Sequence, residues 1–374
     1  MRNIKPCLRK LTVTLILLGA SSFPLMAQGT ETLQGLDLFN RLEVPEMPLG
    51  STPRDIRWAT GDSVFITFER DGVIEFDVGE QLSRKRELFP PRHNVGGKSI
   101  QNLNNLASSA KYLVAFGFGN EVGWRELDST SEIQLKHVDR HYFDDVDVQG
   151  DKVAILGYPG GEYSTEGENA YLWLGDLRSE LSQWRPLREL SLPAPANARG
   201  TFSRHLGSLR FMHNGDLLVV PVVKPGVFRH AQSGKLKAFW SPEELESSLL
   251  AALGGSEPRL EKQEKPLSMT EATSDPEKIR SHVESLRMVI EDVLPLGKRS
   301  AVLVRYRTAS SSGFYLGVLG AETHWFKVPI GKHPASVRVR ADYLPQTDRI
   351  VLLVTDRSLP TEGTDRRVYV VRAP

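Results

Sequence analysis

Residues 145–156 read DVDVQGDKVAIL, and this order of residue types recurs along the chain. Polar and apolar residues alternate up to the tight turn Gly150-Asp151, after which the chain is almost wholly apolar. Alternation predicts a strand with one face on a core, and a continuous apolar run predicts a strand buried on both faces. Glycine supplies the positive φ of a tight turn, and aspartate bonds back to its own backbone. The stretch therefore predicts a β-hairpin.

Five further hairpins follow the same order, and two of them repeat the Gly-Asp turn. They occupy residues 55–68, 105–116, 208–220, 292–304 and 337–354. The six turns lie near residues 62, 111, 151, 216, 299 and 349. A third strand, and usually a fourth, can be drawn after each hairpin. A four-stranded antiparallel unit that recurs roughly every 40–50 residues is typical of a propeller blade.

Two spacings between turns, of 65 and 83 residues, exceed one blade and predict insertions. Residues 191–205 contain two prolines and a run of small residues, which indicates an extended loop. Residues 241–288 predict a helical insertion after the fourth blade. Its helix begins with the Ser241 cap and Pro242, and a second short helix is expected over residues 276–286. This insertion is a candidate element for contact with a partner.

The expected fold class is all-β, with residues 28–374 in one ring of four-stranded antiparallel blades. The sixth blade shows only three strands near the end of the chain, and Leu36–Val44 is a spare strand that can close it. On this repeat architecture, residues 35–374 resemble the six-bladed β-propeller superfamily of the TolB-like or NHL-like kind. A seven-bladed ring is the alternative, but the insertion at 241–288 has no strand pattern.

The first 27 residues predict a secretory signal peptide. Four basic residues precede the apolar run Leu11–Leu18, and small residues follow up to Ala27. We therefore expect a secreted or periplasmic protein, with an uncleaved anchor as the alternative. Cleavage removes Cys7, the only cysteine, and leaves 43 basic against 46 acidic residues. Such a near-neutral chain gives no reason to expect nucleic acid as a partner, and we expect a monomer without a membrane span after cleavage.

Charged residues are unusually frequent on the six strands that should line the channel. We expect a ligand at the entry end of the channel, where loops from all blades converge. The candidate ligand-binding residues at this channel mouth are Asp55, Arg57, Asn105, Asp145, Asp147, His205, Arg210, Asp292 and Arg338. Mixed carboxylates and guanidinium groups suit an anionic or polyhydroxyl ligand. The alternative is that these groups pair with each other and hold neighbouring blades in register.

Two functional classes stay open from the sequence, which does not decide whether the protein is an enzyme. The first is a non-catalytic propeller that binds a small polar ligand or a partner protein, without a cofactor. The second is a metal-dependent, lactonase-like hydrolase or lyase. No catalytic residue and no metal ligand is assigned, because the Glu-Gly-Pro segment of such lactonases is replaced by Ser51-Thr52-Pro53. Asp55, Asn105 and Asp145 are a candidate oxygen-rich Ca²⁺ site.

Overall fold

The computed structural model describes residues 33–374 with gaps. The gaps are residues 49, 60, 91–93, 96–97, 101–102, 118–120, 129–131, 138–140, 160–171, 180, 182–184, 188–206, 222–225, 256–286, 308–311, 332–336 and 357–365. The predicted signal peptide, the loop at 191–205 and the second helix at 276–286 all lie outside the described residues. No helix in the described part is long and apolar enough to cross a membrane.

Six antiparallel sheets of four strands make up most of the described part of the molecule. Blades 1 and 2 contain Pro53–Trp58, Ser63–Phe68, Gly72–Val78 and Leu82–Phe89, then Leu103–Ser108, Tyr112–Gly117, Glu121–Glu126 and Gln134–His137. Blades 3 and 4 contain His141–Gln149, Lys152–Pro159, Leu172–Asp176 and Arg185–Pro186, then Ser208–Phe211, Leu217–Val220, Val227–His230 and Leu236–Trp240. Blades 5 and 6 contain Met288–Leu296, Arg299–Arg307, Ser312–Leu319 and His324–Lys327, then Val337–Leu344, Arg349–Asp356, Arg366–Arg372 and Leu38–Glu43. A small two-stranded sheet pairs Asn94–Val95 with Lys98–Ser99.

The N-terminal strand closes the ring. Leu38–Glu43 pairs antiparallel with Arg366–Arg372, so the outer strand of blade 6 comes from the other end of the chain. The first strand of each blade, here called the inner strand, lies beside the inner strand of the next blade, and that of blade 6 lies beside that of blade 1. The chain is a six-bladed β-propeller. The predicted fold class and blade number are confirmed.

The turns behave as the sequence predicts. Gly61, Gly150 and Gly215 have φ values of +70°, +60° and +81°, which a side chain would strain. The strand after each of these turns is buried on both faces, as in Ser63–Phe68. These turns mark one end of the ring, the exit face, toward which every inner strand runs from the opposite entry face.

Six apolar cores lie between neighbouring blades, one for each junction around the ring. The only α-helix among the described residues, Pro242–Ala252, joins the core between blades 4 and 5 through Leu245 and Leu249. It begins at the Ser241 cap, as predicted, and Glu244 completes a capping box. The helix is an insertion between blades 4 and 5 in the sequence, and its buried face is part of the core of the ring.

Candidate functional site

The axis of the ring holds a layer of polar side chains, here called the charge layer. Each inner strand contributes one member, and the layer consists of Asp55, Asn105, Asp145, Ser208, Asp292 and Arg340. Aspartate occupies blades 1, 3 and 5, so the layer has approximate threefold symmetry. Four of the inner strands carry a β-bulge just before this position. A bulge re-aims the side chain that follows it, which is consistent with these residues sharing one layer.

Each aspartate of the charge layer joins its own blade to the next. One carboxylate oxygen accepts a hydrogen bond from the backbone N–H of the following residue, at 2.9–3.0 Å. The other oxygen accepts the equivalent N–H of the next blade, from Leu106, Leu209 or Ala341, at 2.8–2.9 Å. The junctions between blades 1 and 2, blades 3 and 4, and blades 5 and 6 thus contain the same two hydrogen bonds to an aspartate.

Three guanidinium groups compensate the buried carboxylates. Arg210 Nη1 lies 2.8 Å from Asp145 Oδ2, and its Nη2 lies 3.0 Å from Asp292 Oδ2. Arg57 Nη1 lies 2.8 Å from Asp55 Oδ1, and Arg340 lies within 4 Å of both Asp145 and Asp292. Burial alone would raise the pKa of Asp145, but Arg210, Arg340 and Arg57 lower it below its ordinary value. The charge layer is a mutually paired network that fills the axis.

A second layer lies one inward-facing position closer to the exit face and is called the floor layer. In blade order it contains Arg57, Ala107, Asp147, Arg210, Leu294 and Asp342. Asp147 Oδ2 accepts a hydrogen bond from Phe211 N at 2.5 Å, and Asp342 Oδ2 accepts one from Trp58 N at 2.7 Å. Burial raises the pKa of both carboxyls, to about 7 for Asp147.

A cavity of about 500 Å³, the exit-face cavity, opens above the floor layer. Its base is formed by Arg57, Asp147, Arg210 and Asp342. Its rim comes from the hairpin turns and strand ends of all six blades, represented by Gly61, Ala110, Gln149, His213, Gly297 and Gln346. The repeated turn that identifies the fold therefore also shapes the mouth of this cavity.

The structure brings together seven of the nine residues predicted for the channel mouth. They are Asp55, Arg57, Asn105, Asp145, Asp147, Arg210 and Asp292. His205 lies outside the described residues. Arg338 lies two residues before Arg340, toward the entry face, and makes no hydrogen bond or ion pair within the described chain. Burial and the neighbouring Arg340 lower the pKa of Arg338 to about 9.

Sequence reasoning missed Asp342 and Ser208. The signal for Asp342 was available, since it follows Arg340 by two residues and side chains alternate along a strand. Ser208 donates a short hydrogen bond to Asp292, and a serine before a strand gives no comparable signal. The sequence also favoured the entry end for a ligand, whereas the cavity described here opens on the exit face.

The carboxylate oxygens of the candidate Ca²⁺ site, those of Asp55 and Asp145, already accept hydrogen bonds from the protein. Asn105 turns its amide nitrogen, a donor, toward Asp145 Oδ1 at 2.9 Å. Arg57 and Arg210 approach Asp55 and Asp145 at 2.8 Å. These donors occupy the directions from which a cation would be bound. The described residues contain no group of three or more His, Cys, Asp or Glu side chains arranged to hold a metal ion.

Comparisons with known proteins find solved structures that are similar to this chain in fold alone. No family model and no curated sequence matches the chain. A selenomethionine-substituted virginiamycin B lyase from Staphylococcus aureus aligns over 91% of this chain and 99% of its own, with 10% identity and a TM-score of 0.43. A streptogramin B lyase aligns over 91% and 98%, with 11% identity and a TM-score of 0.40. A chain of the mitotic checkpoint complex aligns over 96% and 99%, with 8% identity and a TM-score of 0.46. Propellers host many unrelated functions, so the fold alone does not indicate the function of this chain.

Proposed function

We propose that this protein is a non-catalytic binding propeller that holds a small polar ligand in its exit-face cavity. The observation that carries the proposal is a cavity of about 500 Å³ whose base consists of two buried arginines and two aspartates. Ligand pockets are commonly about 300–1,000 Å³ and contain a few polar groups that fix orientation. A protein partner that inserts a polar side chain would use the same groups.

The rigidity of the site supports a binding role. Arg57 and Arg210 are only 2% exposed, and each is held by an aspartate of the charge layer. The walls are hairpin ends anchored in the six cores between blades. A site held in one conformation before the ligand arrives loses little entropy on binding.

Residues 1–27 support a role outside the cytoplasm, in the periplasm or as a secreted protein. Expression of the full chain in a host with a secretory system should yield a product that begins at Gln28. Mass spectrometry of the purified protein measures that start. A product that keeps residues 1–27 would contradict this part of the proposal.

A ligand screen on residues 28–374 tests the binding role. Thermal unfolding is followed with panels of neutral polyols, organic anions and amines, since a ligand of the folded state raises Tm. Ala110 is exposed on the cavity rim, so Ala110→Trp should obstruct the cavity and abolish the shift. Ala321→Trp is the matched control, because Ala321 is also exposed on a turn but does not line the cavity.

Two results would overturn the proposal. One is that no compound of the panels raises Tm, and the other is that a bound compound is unaffected by Ala110→Trp. Calcium chloride belongs in the screen as well. A calcium-dependent rise in Tm would favour the metal-dependent hydrolase or lyase instead.

A further inference from the structure

The floor layer repeats itself halfway around the ring. Blades 1 to 3 contribute Arg57, an apolar residue and Asp147, and blades 4 to 6 contribute Arg210, an apolar residue and Asp342. The backbone contacts repeat as well, because each aspartate accepts the N–H of the residue that follows the arginine of the next blade. The base of the exit-face cavity therefore presents two Arg–Asp sets on opposite sides of the axis.

Each set retains capacity for hydrogen bonds. Asp342 also accepts the backbone N–H of Tyr343, and no described side chain donates to the carboxylate of Asp147 or Asp342. Nε and Nη2 of Arg57 and Nε of Arg210 are buried and have no hydrogen-bond partner among the described residues. Buried polar groups without partners are costly. Arg57 and Arg210 line the cavity, so a ligand that draws a guanidinium group toward itself supplies the missing acceptor, and its own donors bind the aspartate oxygens.

The charges of the two layers disfavour an ionic ligand. The charge and floor layers together contain five aspartates and three arginines, so above the raised pKa of Asp147 an excess of negative charge opposes an anion. A cation entering the cavity meets Arg57 and Arg210 at its base. Because Asp147 and Asp342 share the base with these arginines, an ion of either sign meets a like charge beside each counter-charge, and the like charge opposes its burial.

We infer that the exit-face cavity takes a neutral polyhydroxyl compound of the sugar or cyclitol class. Each hydroxyl group both donates and accepts, so neighbouring hydroxyls can donate to the aspartate oxygens and accept from the arginines. The repeated Arg–Asp sets favour a ligand whose hydroxyl pairs lie on two opposite edges. This inference rests on the proposed binding function, since it names the ligand class of the same cavity.

Calorimetric titration at pH 8 with a panel of hexoses, disaccharides and inositols tests the inference. Asp147→Asn and Asp342→Asn keep an oxygen for the N–H of Phe211 or Trp58 but replace one acceptor by a donor. We expect each variant to bind the polyol about tenfold more weakly or worse. Asp176→Asn is the control, because Asp176 is on the surface of blade 3 and does not line the cavity.

Organic acids and amines of similar size form the competing arms of the test. If only these ions bind and Ala110→Trp abolishes their binding, the inference is wrong and the proposed function stands. If no compound of any class binds, both are wrong. Polyol binding that is unchanged in Asp147→Asn and Asp342→Asn would also overturn the inference.

Discussion

At the scale of single residues, Arg210 forms close ion pairs with two aspartates of the charge layer. It is 2% exposed and connects Asp145 of blade 3 to Asp292 of blade 5 across the inner strand of blade 4. Its removal leaves two buried carboxylates without their nearest counter-charge. Breaking a buried ion pair by removing one partner costs about 3–5 kcal/mol.

The substitution Arg210→Met should lower the free energy of unfolding by that amount, measured by denaturation in urea. Arg338→Met is the matched control on another inner strand. Arg338 has no ion pair within the described chain, and burial beside Arg340 lowers its pKa, so its charge is not favoured by the fold. We expect Arg338→Met to leave stability unchanged or to raise it. Equal losses in both variants would contradict the role of Arg210 in the charge layer.

Asp147 is one of the buried carboxyls that make stability depend on pH, and burial also raises the pKa of Asp144 to about 7. Burial raises the pKa of Asp147 from 3.8 to about 7, although Arg210 and Arg57 oppose this shift, and nearby Asp342 adds to it. Between pH 4 and pH 7 the folded protein keeps a proton that the unfolded chain releases. The stability from this group is therefore complete below about pH 4 and is lost as the pH rises to 7.

Asp147→Asn cannot ionise, so its stability relative to wild type should increase from pH 4 to pH 7 and then level off. The full change is on the order of 4 kcal/mol. Denaturation at a series of pH values measures it. Hydrogen bonds from Arg178 lower the pKa of Asp176, so Asp176→Asn should give a flat difference over the same range. A flat difference for Asp147→Asn would show that its carboxyl is ionised throughout.

At the scale of elements, the helix Pro242–Ala252 is part of the core between blades 4 and 5. Leu245 and Leu249 are 1% and 0% exposed, and Trp325 of blade 5 donates a hydrogen bond to Ser248 at 3.1 Å. The sequence predicts that the insertion at 241–288 contacts a partner. The buried face of this helix contacts the ring, so within the described part of the insertion only the outer face of the helix is available for that role.

Leu249→Ala should therefore lower the free energy of unfolding by about 2–5 kcal/mol, the cost of a cavity in a packed core. Ser247→Ala, on the exposed face of the same helix, should change it by less than about 0.5 kcal/mol. Urea denaturation distinguishes the two. Similar small effects would mean that the helix does not stabilise the ring.

Much of the element scale could be predicted from the sequence, because hairpins are encoded locally. The glycine turns and the apolar second strands are properties of neighbouring residues, and so is the Ser241 cap. The pairing of the charge layer could not be predicted. Whether Asp145 is free or bonded to Leu209 and Arg210 depends on groups 64 and 65 residues away, and on bulges that no residue type marks.

At the scale of the whole molecule, two symmetries are superimposed on one ring. The charge layer repeats every second blade, and the floor layer repeats every third. The first symmetry serves the junctions between blades, since it repeats the same backbone bonds. The second makes the two Arg–Asp sets under the exit-face cavity.

Closure of the ring can be measured with an engineered disulfide. Glu43 and Arg367 are register partners on the two closing strands, and the only native cysteine precedes residue 28. In a chain of residues 28–374, oxidised Glu43→Cys/Arg367→Cys should be more stable than its reduced form by about 4–5 kcal/mol, because the bond closes a very long loop. Glu43→Cys alone should not respond to reductant. If the double variant forms the disulfide but gains no stability, separation of the two closing strands does not limit unfolding.

The pairing of Leu38–Glu43 with Arg366–Arg372 also means that blade 6 is completed late in biosynthesis. The first strand leaves the ribosome more than 320 residues before its partner, which at about 5–20 residues per second is a delay of roughly 15–65 seconds. During that interval blade 6 has no closing strand, and the early segment is open to wrong pairing with any exposed edge.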